Sequence, residues 1–153
     1  MASALQPAGA IVFVDTGVLL AADDAFDAAR QARVREWLQA LWLRRAGRVS
    51  MLVLNAYYVA ATQTFGMPQG DARAKLRRLQ LWQPWQIDPR TMETAWGVEA
   101  RFGLPYWGAL MVASAAQSGA SHVLTTVLPP QQIDGVTILN PHLTAPIDLA
   151  LAD

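Results

Sequence analysis

Cysteine is absent from the 153 residues. That excludes disulfides, thiolate metal sites and cysteine nucleophiles. No run of roughly 18 apolar residues exists, so no segment is able to cross a bilayer as a helix. The first ten residues, MASALQPAGA, have neither a charged n-region nor a long apolar stretch, and they read as something other than a secretory signal. Net charge is also lacking: 12 basic and 12 acidic side chains give a formal sum of +0. The argument for nucleic acid that a strongly basic chain would carry is therefore withheld. Lysine is nearly absent, since Lys75 is the single one among the 12 basic residues. The others are arginines, which suit bidentate contacts with phosphate or carboxylate. Charge is scarcest in residues 102–133, which contain no Asp, Glu, Lys or Arg. These absences make a reducing cytoplasm the expected compartment and a membrane an unexpected partner.

What is present is apolar. Hydrophobic residues make up 53% of the chain and charged residues 16%, which fits one folded domain with a full core rather than disorder. Residues 11–15 read as a short buried strand, an apolar run ending in Asp15. Between residues 26 and 46, Val34, Trp37, Leu38, Leu41 and Trp42 recur at spacings of three and four, the stripe of an amphipathic helix ended by Gly47. Arg48 and Val49 read as a very short strand. Ser50 is placed to cap a helix over 51–65, stopped by Gly66 and Pro68. A further helix is expected over 69–82, with Arg73, Lys75, Arg77 and Arg78 on its polar side. Trp85, Gln86 and Ile87 read as a strand. Asp88 then caps a helix with Pro89 in its first turn, ended by Gly103. Residues 105–117 predict a helix apolar nearly all round, hence buried. Residues 122–126 and 136–139 read as strands joined by an irregular, proline-rich link.

Short strands alternating with helices predict an α/β fold: a single-domain α/β/α sandwich with a mainly parallel sheet of four to five strands and residues 11–15 in its middle. Functional groups in such folds gather at the carboxyl ends of the central strands, which is where Asp15, Thr125 and Thr126 would sit. The expected organisation is an N-terminal extension over 1–10, the domain over 11–141, and a loose tail or partner-binding arm over 142–153.

Four strings stand in order along this frame: VFVDTGVLL around Asp15, VLNAYYVAAT from Val53, RFGLPYWGALMVASAAQSGASHVLTT from Arg101, and IDGVTILNP from Ile133. Together they resemble a PIN domain, and most closely the VapC-like toxin ribonucleases of bacterial toxin–antitoxin pairs. The resemblance implies Mg²⁺- or Mn²⁺-dependent cleavage of RNA, a small antitoxin-like partner protein, and a homodimer. It also implies four acids at the site, and here the pattern breaks. Asp15 keeps the first. Gly17 replaces the asparagine of the first motif. Ala56 stands in the place of the second acid and Gly108 in the place of the third. Thr126 is followed by Val127 and Leu128 where the fourth belongs, with Leu128 the better match and Val127 the alternative.

A hard, strongly hydrated ion such as Mg²⁺ binds through carboxylates and substrate oxygens at about 2.0–2.1 Å. Several clustered carboxylates offset its dehydration and one does not. Without the ion nothing lowers the pKa of the attacking water or stabilises the leaving oxyanion. His122, inside a strand, and His142, after Pro141, do not supply a substitute. The expectation is therefore a pseudonuclease with no cofactor, acting by binding RNA or a protein. The alternative is an active Mg²⁺- or Mn²⁺-dependent endoribonuclease with relocated ligands, drawn from Asp23, Asp24 or Asp134. A homo-oligomeric interaction domain without a ligand is a third reading. A phosphoreceiver-like domain would need an acidic pair near Asp15 and an aspartate ending a later strand.

Individual residues carry two readings each. Asp15 is a remnant metal ligand, or a carboxylate hydrogen-bonded to Thr16, a backbone N–H, Thr125 or Thr126. Arg73, Lys75, Arg77 and Arg78 track an RNA backbone, or form the solvated face of a helix. Trp37 and Trp42 belong to the core or to a dimer interface, and Trp107 to the core. Trp82 and Trp85 flank Pro84 and either stack on bases or pack at a turn. Asn55 orients a neighbouring loop or caps one.

Overall fold

The computed structural model describes residues 9–152. The elements, in chain order, are β1 (Val12–Val14), α1 (Thr16–Ala21), α2 (Ala28–Leu43), β2 (Gly47–Arg48), α3 (Met51–Val59), α4 (Gln69–Leu79), α5 (Pro89–Phe102), α6 (Tyr106–Gln117), β3 (His122–Leu124), β4 (Gln131–Ile133) and β5 (Val136–Leu139). A π-helical turn over Ala60–Thr64 prolongs α3, and a 3₁₀ turn over Gln80–Trp82 prolongs α4.

The five strands form one sheet in the order β2-β1-β3-β5-β4. The pairs β1–β2, β1–β3 and β3–β5 are parallel, and β4 alone runs antiparallel to its neighbour. The expected α/β architecture is therefore present, with helices flanking a central, mostly parallel sheet. β1 is an interior strand, as expected, although β3 holds the geometric centre. Val12, Phe13 and Val14 are all fully buried. Consecutive residues of a strand point to opposite faces, so both faces of β1 are covered. Truncating Phe13 to Ala in such a position costs about 3–5 kcal/mol.

The helix caps follow the sequence closely. The Ser50 hydroxyl accepts from Val53 N–H at 3.1 Å and starts α3. Asp88 accepts from Thr91 N–H at 2.8 Å and starts α5, with Pro89 at its first position and Gly103 closing it. Gly47 is required by close approach: a Cβ there would lie 2.6 Å from the Trp82 ring. That contact seats the end of α4 on β2 and packs Trp82 against Trp42, the rings tilted by 38° with centroids 5.9 Å apart.

Several expectations are corrected. Trp85, Gln86 and Ile87 form no strand; Trp85 makes only an isolated bridge to Ser50. Residues 16–21, not assigned to any element from sequence, form α1. The link between β3 and β5 contains β4, which folds back through Asp134 and Gly135, both with positive φ (51° and 80°). Trp107 is not in the core; it is 68% exposed.

Residues 1–8 of the expected N-terminal extension, and residue 153, lie outside the described residues. The segment expected as a loose tail returns to the domain. Ala10 N–H donates to Ala150 O at 2.7 Å and Ala152 N–H to Ala10 O at 2.9 Å. The buried Trp37 indole donates to Thr144 O at 2.8 Å.

Candidate functional site

β1 and β3 run parallel with Val14 opposite Leu124, so the residues that follow them, Asp15 and Thr125, emerge side by side. Asp15 is in an extended conformation and caps α1, its Oδ1 accepting from Thr16 N–H at 2.7 Å. Its Oδ2 accepts from the Thr125 hydroxyl at 2.7 Å. Thr125 is fully buried and its Oγ1 accepts in turn from Val127 N–H at 3.1 Å. One short chain of hydrogen bonds thus ties the loop after β3 to the start of α1.

Asp15 opens into a cavity of about 360 Å³. Ala56 from α3, Gly108 and Trp107 from the start of α6, and Val127 from the loop after β3 line it with Thr16. The positions singled out in the sequence therefore meet in space, with one adjustment. Val127, 69% exposed, faces the cavity. Leu128 is buried and lies behind Gly108, whose added Cβ would come 3.1 Å from Leu128 Cδ2. Gly17 has room: a Cβ there would meet only Thr126 Oγ1, at 4.0 Å.

Other candidates lie elsewhere. Asn55 is exposed, donates to Met51 O at 2.8 Å, and borders a separate depression with Gln86 and Ile87. Asp24 accepts from Phe26 N–H at 3.0 Å. Asp134 is paired with Arg101 at the β4–β5 turn. Asp23 accepts from the Tyr57 hydroxyl at 2.7 Å and from Lys75 Nζ at 2.9 Å. None of the three joins the cavity of Asp15.

The basic residues of α4 are largely engaged. Lys75 also donates to Leu19 O at 3.0 Å, and burial lowers its pKa against the opposing pull of Asp23. Burial and the Asp23 contact together raise the pKa of Tyr57. Arg73 lies over the Tyr58 ring at 5.9 Å, and Arg78 over Trp42 at 5.1 Å. Arg77 is exposed. Trp82 is buried against Trp42 and is not free to stack on a base. The half-buried Trp85 spends its indole N–H on Thr91 Oγ1 at 3.1 Å. Burial lowers the pKa of both His122 and His142, and neither lines the cavity. A second concavity, of about 620 Å³, runs between α2 and α4, walled by Leu38, Trp42, Leu79 and Trp82 with Lys75 and Arg78 at its side.

Sequence reasoning missed Trp107 as a lining residue. The signal was the proline–aromatic start of α6, which places residues of its first turn at the mouth rather than in the core.

The chain superposes on the crystal structure of Mycobacterium tuberculosis VapC20, described as a sarcin-ricin loop cleaving toxin, with a TM-score of 0.54. The match covers 73% of this chain and 86% of that one at 20% sequence identity. The fold is therefore PIN-like, similar to that of this toxin. No family model matches the chain, and no curated protein does. Among the described residues no helix is long and apolar enough to cross a membrane.

The site does not fit the divalent ion that the fold implies. Mg²⁺ and Mn²⁺ take oxygen donors in an octahedral shell. The cavity offers one carboxylate among mainly apolar walls, where an octahedral ion needs several oxygen ligands.

Proposed function

We propose that the protein is a non-catalytic PIN-like domain that acts by binding. The observation that carries this reading is the cavity at the carboxyl ends of β1 and β3: Asp15 stands there with Ala56, Gly108 and Val127 as its neighbours. Each missing carboxylate removes on the order of several kcal/mol of attraction for a divalent ion at an effective dielectric near 20. The relocated-ligand alternative needs Asp23, Asp24 or Asp134 beside Asp15, and each is engaged elsewhere. Among the described residues no group of three or more acids or histidines is arranged to hold a metal.

Two measurements test the reading. Calorimetric titration with Mg²⁺ and Mn²⁺ is expected to give no site-specific heat at millimolar ion. Structured RNA is expected to survive incubation with protein and Mn²⁺. Metal-dependent cleavage that Asp15→Asn abolishes would overturn the pseudonuclease and establish the endoribonuclease.

The favoured partner is a small, antitoxin-like protein rather than RNA. The α2–α4 concavity supports this choice, because its aromatic and aliphatic wall carries Arg35 and Arg78 while Lys75 and Asp23 offset one another, which suits an amphipathic helix carrying acidic residues. Co-expression with the product of an adjacent small reading frame should yield a complex that Leu38→Glu disrupts. RNA held without cleavage is the other binding outcome, read by a gel shift that Arg77→Glu weakens. A homodimer belongs to the same proposal, and light scattering on the purified chain tests it.

A further inference from the structure

The cavity beside Asp15 has a chemistry of its own, separate from the metal site it fails to be. Its walls are Phe13, Leu52, Val53, Leu110 and Met111, with the exposed Trp107 and Val127 at its rim. Its volume of about 360 Å³ lies at the lower end of the ~300–1,000 Å³ typical of small-molecule sites. No Lys or Arg lines it. Among the described residues Asp15 is thus the only formal charge on its lining, and it has no ion-pair partner there.

The charged part of its polar capacity is one-sided. A carboxylate offers about four lone-pair sites. Asp15 uses one on each oxygen, for Thr16 N–H and for the Thr125 hydroxyl. What is left accepts and cannot donate. The lining hydroxyls are neutral: Ser50 caps α3, Ser114 donates to Leu110 O at 2.8 Å, and Thr16 lies beside Asp15. A ligand that satisfies this cavity therefore has a hydrogen-bond-donating, positively charged head and an apolar body. Anions are repelled by Asp15 and find no basic side chain. An ion pair formed among apolar walls is also stronger than in water, and the Trp107 ring adds an electron-rich face for a cation.

We propose that this cavity binds a small primary alkylammonium ion, with the ammonium on Asp15 and the alkyl chain against Leu52, Met111 and Trp107. The assignment goes beyond the absence of catalysis and does not depend on it, because metal binding and amine binding are read in separate titrations.

The test uses the full chain and three probes of one shape: n-hexylammonium, 1-hexanol and hexanoate, followed by calorimetry and by tryptophan fluorescence in the parent and in Trp107→Phe. The ammonium is expected to bind at least about tenfold more tightly than the alcohol, and hexanoate to give no signal. Asp15→Asn keeps the helix cap, since asparagine caps as well as aspartate, and is expected to bring the ammonium-to-alcohol ratio to about one. Ala56→Leu fills the cavity from an exposed position and is expected to weaken both. Equal affinity of ammonium and alcohol in the parent would overturn the proposal. So would a preference that survives Asp15→Asn, or no binding of n-hexylammonium at millimolar concentration. Nα-acetyl-lysine N-methylamide carries the same head behind a peptide backbone. Tighter binding of that probe than of n-hexylammonium would replace the small molecule with a lysine of a partner protein.

Discussion

The Thr125 hydroxyl donates to Asp15 Oδ2 at 2.7 Å, joining two residues 110 positions apart at the ends of adjacent parallel strands. Thr125 is fully buried, and the same hydroxyl oxygen accepts from Val127 N–H. Thr125→Val keeps the shape and removes both bonds. We expect a loss of about 1–3 kcal/mol of stability, the cost of leaving buried polar groups without partners. Thr125→Ser should recover most of it. Urea denaturation measures the difference, and a valine variant within about 0.5 kcal/mol of the parent would mean that the bond is incidental.

Asp23 holds three elements together. It follows α1, accepts from Tyr57 on α3, and pairs with Lys75 on α4. Removing it as Asp23→Ala leaves the Tyr57 hydroxyl with Met67 Sδ alone and a largely enclosed ammonium with Leu19 O but no countercharge. Removing the cation as Lys75→Met leaves Asp23 with Tyr57 and solvent. Asp23→Ala should therefore be the more destabilising change. The pair is partly open, with side chains 25% and 30% exposed, so screening keeps the cost toward the lower end of about 1–3 kcal/mol. Chemical denaturation of the two variants at equal ionic strength decides the order.

Much of the fold was legible because local chemistry and tertiary context agree. Ser50 and Asp88 occupy N-caps read from their side chains, and the burial of residues 108–115 follows from the run that contains them. Other parts were obscured for physical reasons. α1 is 6 residues long, too short for a periodic stripe, and its cap, Asp15, reads equally well as a strand-end carboxylate. The Asp134–Gly135 pair was a legible hairpin signal, since both residues tolerate the positive φ of a tight turn. The Pro129–Pro130 pair beside it masked the strand. Residues 85–87 have strand-like composition but only a single bridge partner, at Ser50. At the site, residue types predicted a cavity poor in acids. They did not predict that Leu128 turns under Gly108 while Val127 faces Asp15, because that choice is made by the bend after Thr125.

Acid sensitivity should begin with the histidines. The pKa values of His122 and His142 are both held below 6.5 by burial, with Arg30 adding to the effect at His142. Above 6.5 both states are neutral and the full stability is present. As pH falls through 6.5, the unfolded chain takes up protons that the folded chain resists, so stability declines toward the folded pKa values. Asp88, held below 3.8 first by the Thr91 backbone N–H, adds its own loss further down as pH falls through its folded value. The double variant His122→Asn/His142→Asn is expected to flatten the stability profile between about pH 5 and 6.5, measured by denaturant midpoints. A variant with the parent slope would place the acid-sensitive groups elsewhere.

Reinstalling the missing acids tests whether these positions share one centre. Ala56→Glu, Gly108→Asp and Val127→Asp place three carboxylates around Asp15. Without metal they repel one another, and the new Cβ at 108 crowds Leu128 Cδ2 at 3.1 Å, so the melting temperature should fall and the response to Mn²⁺ separates the two causes. Mn²⁺ should restore part of it, because an ion that binds only the folded state stabilises it by mass action, about 2.7 kcal/mol at a hundredfold excess over Kd. The companion set carrying Leu128→Asp in place of Val127→Asp should behave differently. Leu128 is 6% exposed and packs against Gly108, so its replacement by aspartate buries a charge and removes core volume together. That set should melt lower still, with little recovery in Mn²⁺. Thermal denaturation of the purified variants with and without Mn²⁺ reads both comparisons. If the Val127 set melts no lower than the parent and ignores Mn²⁺, residues 56, 108 and 127 do not face Asp15 closely enough to act on a common ion. The cavity would then owe its apolar walls to packing alone.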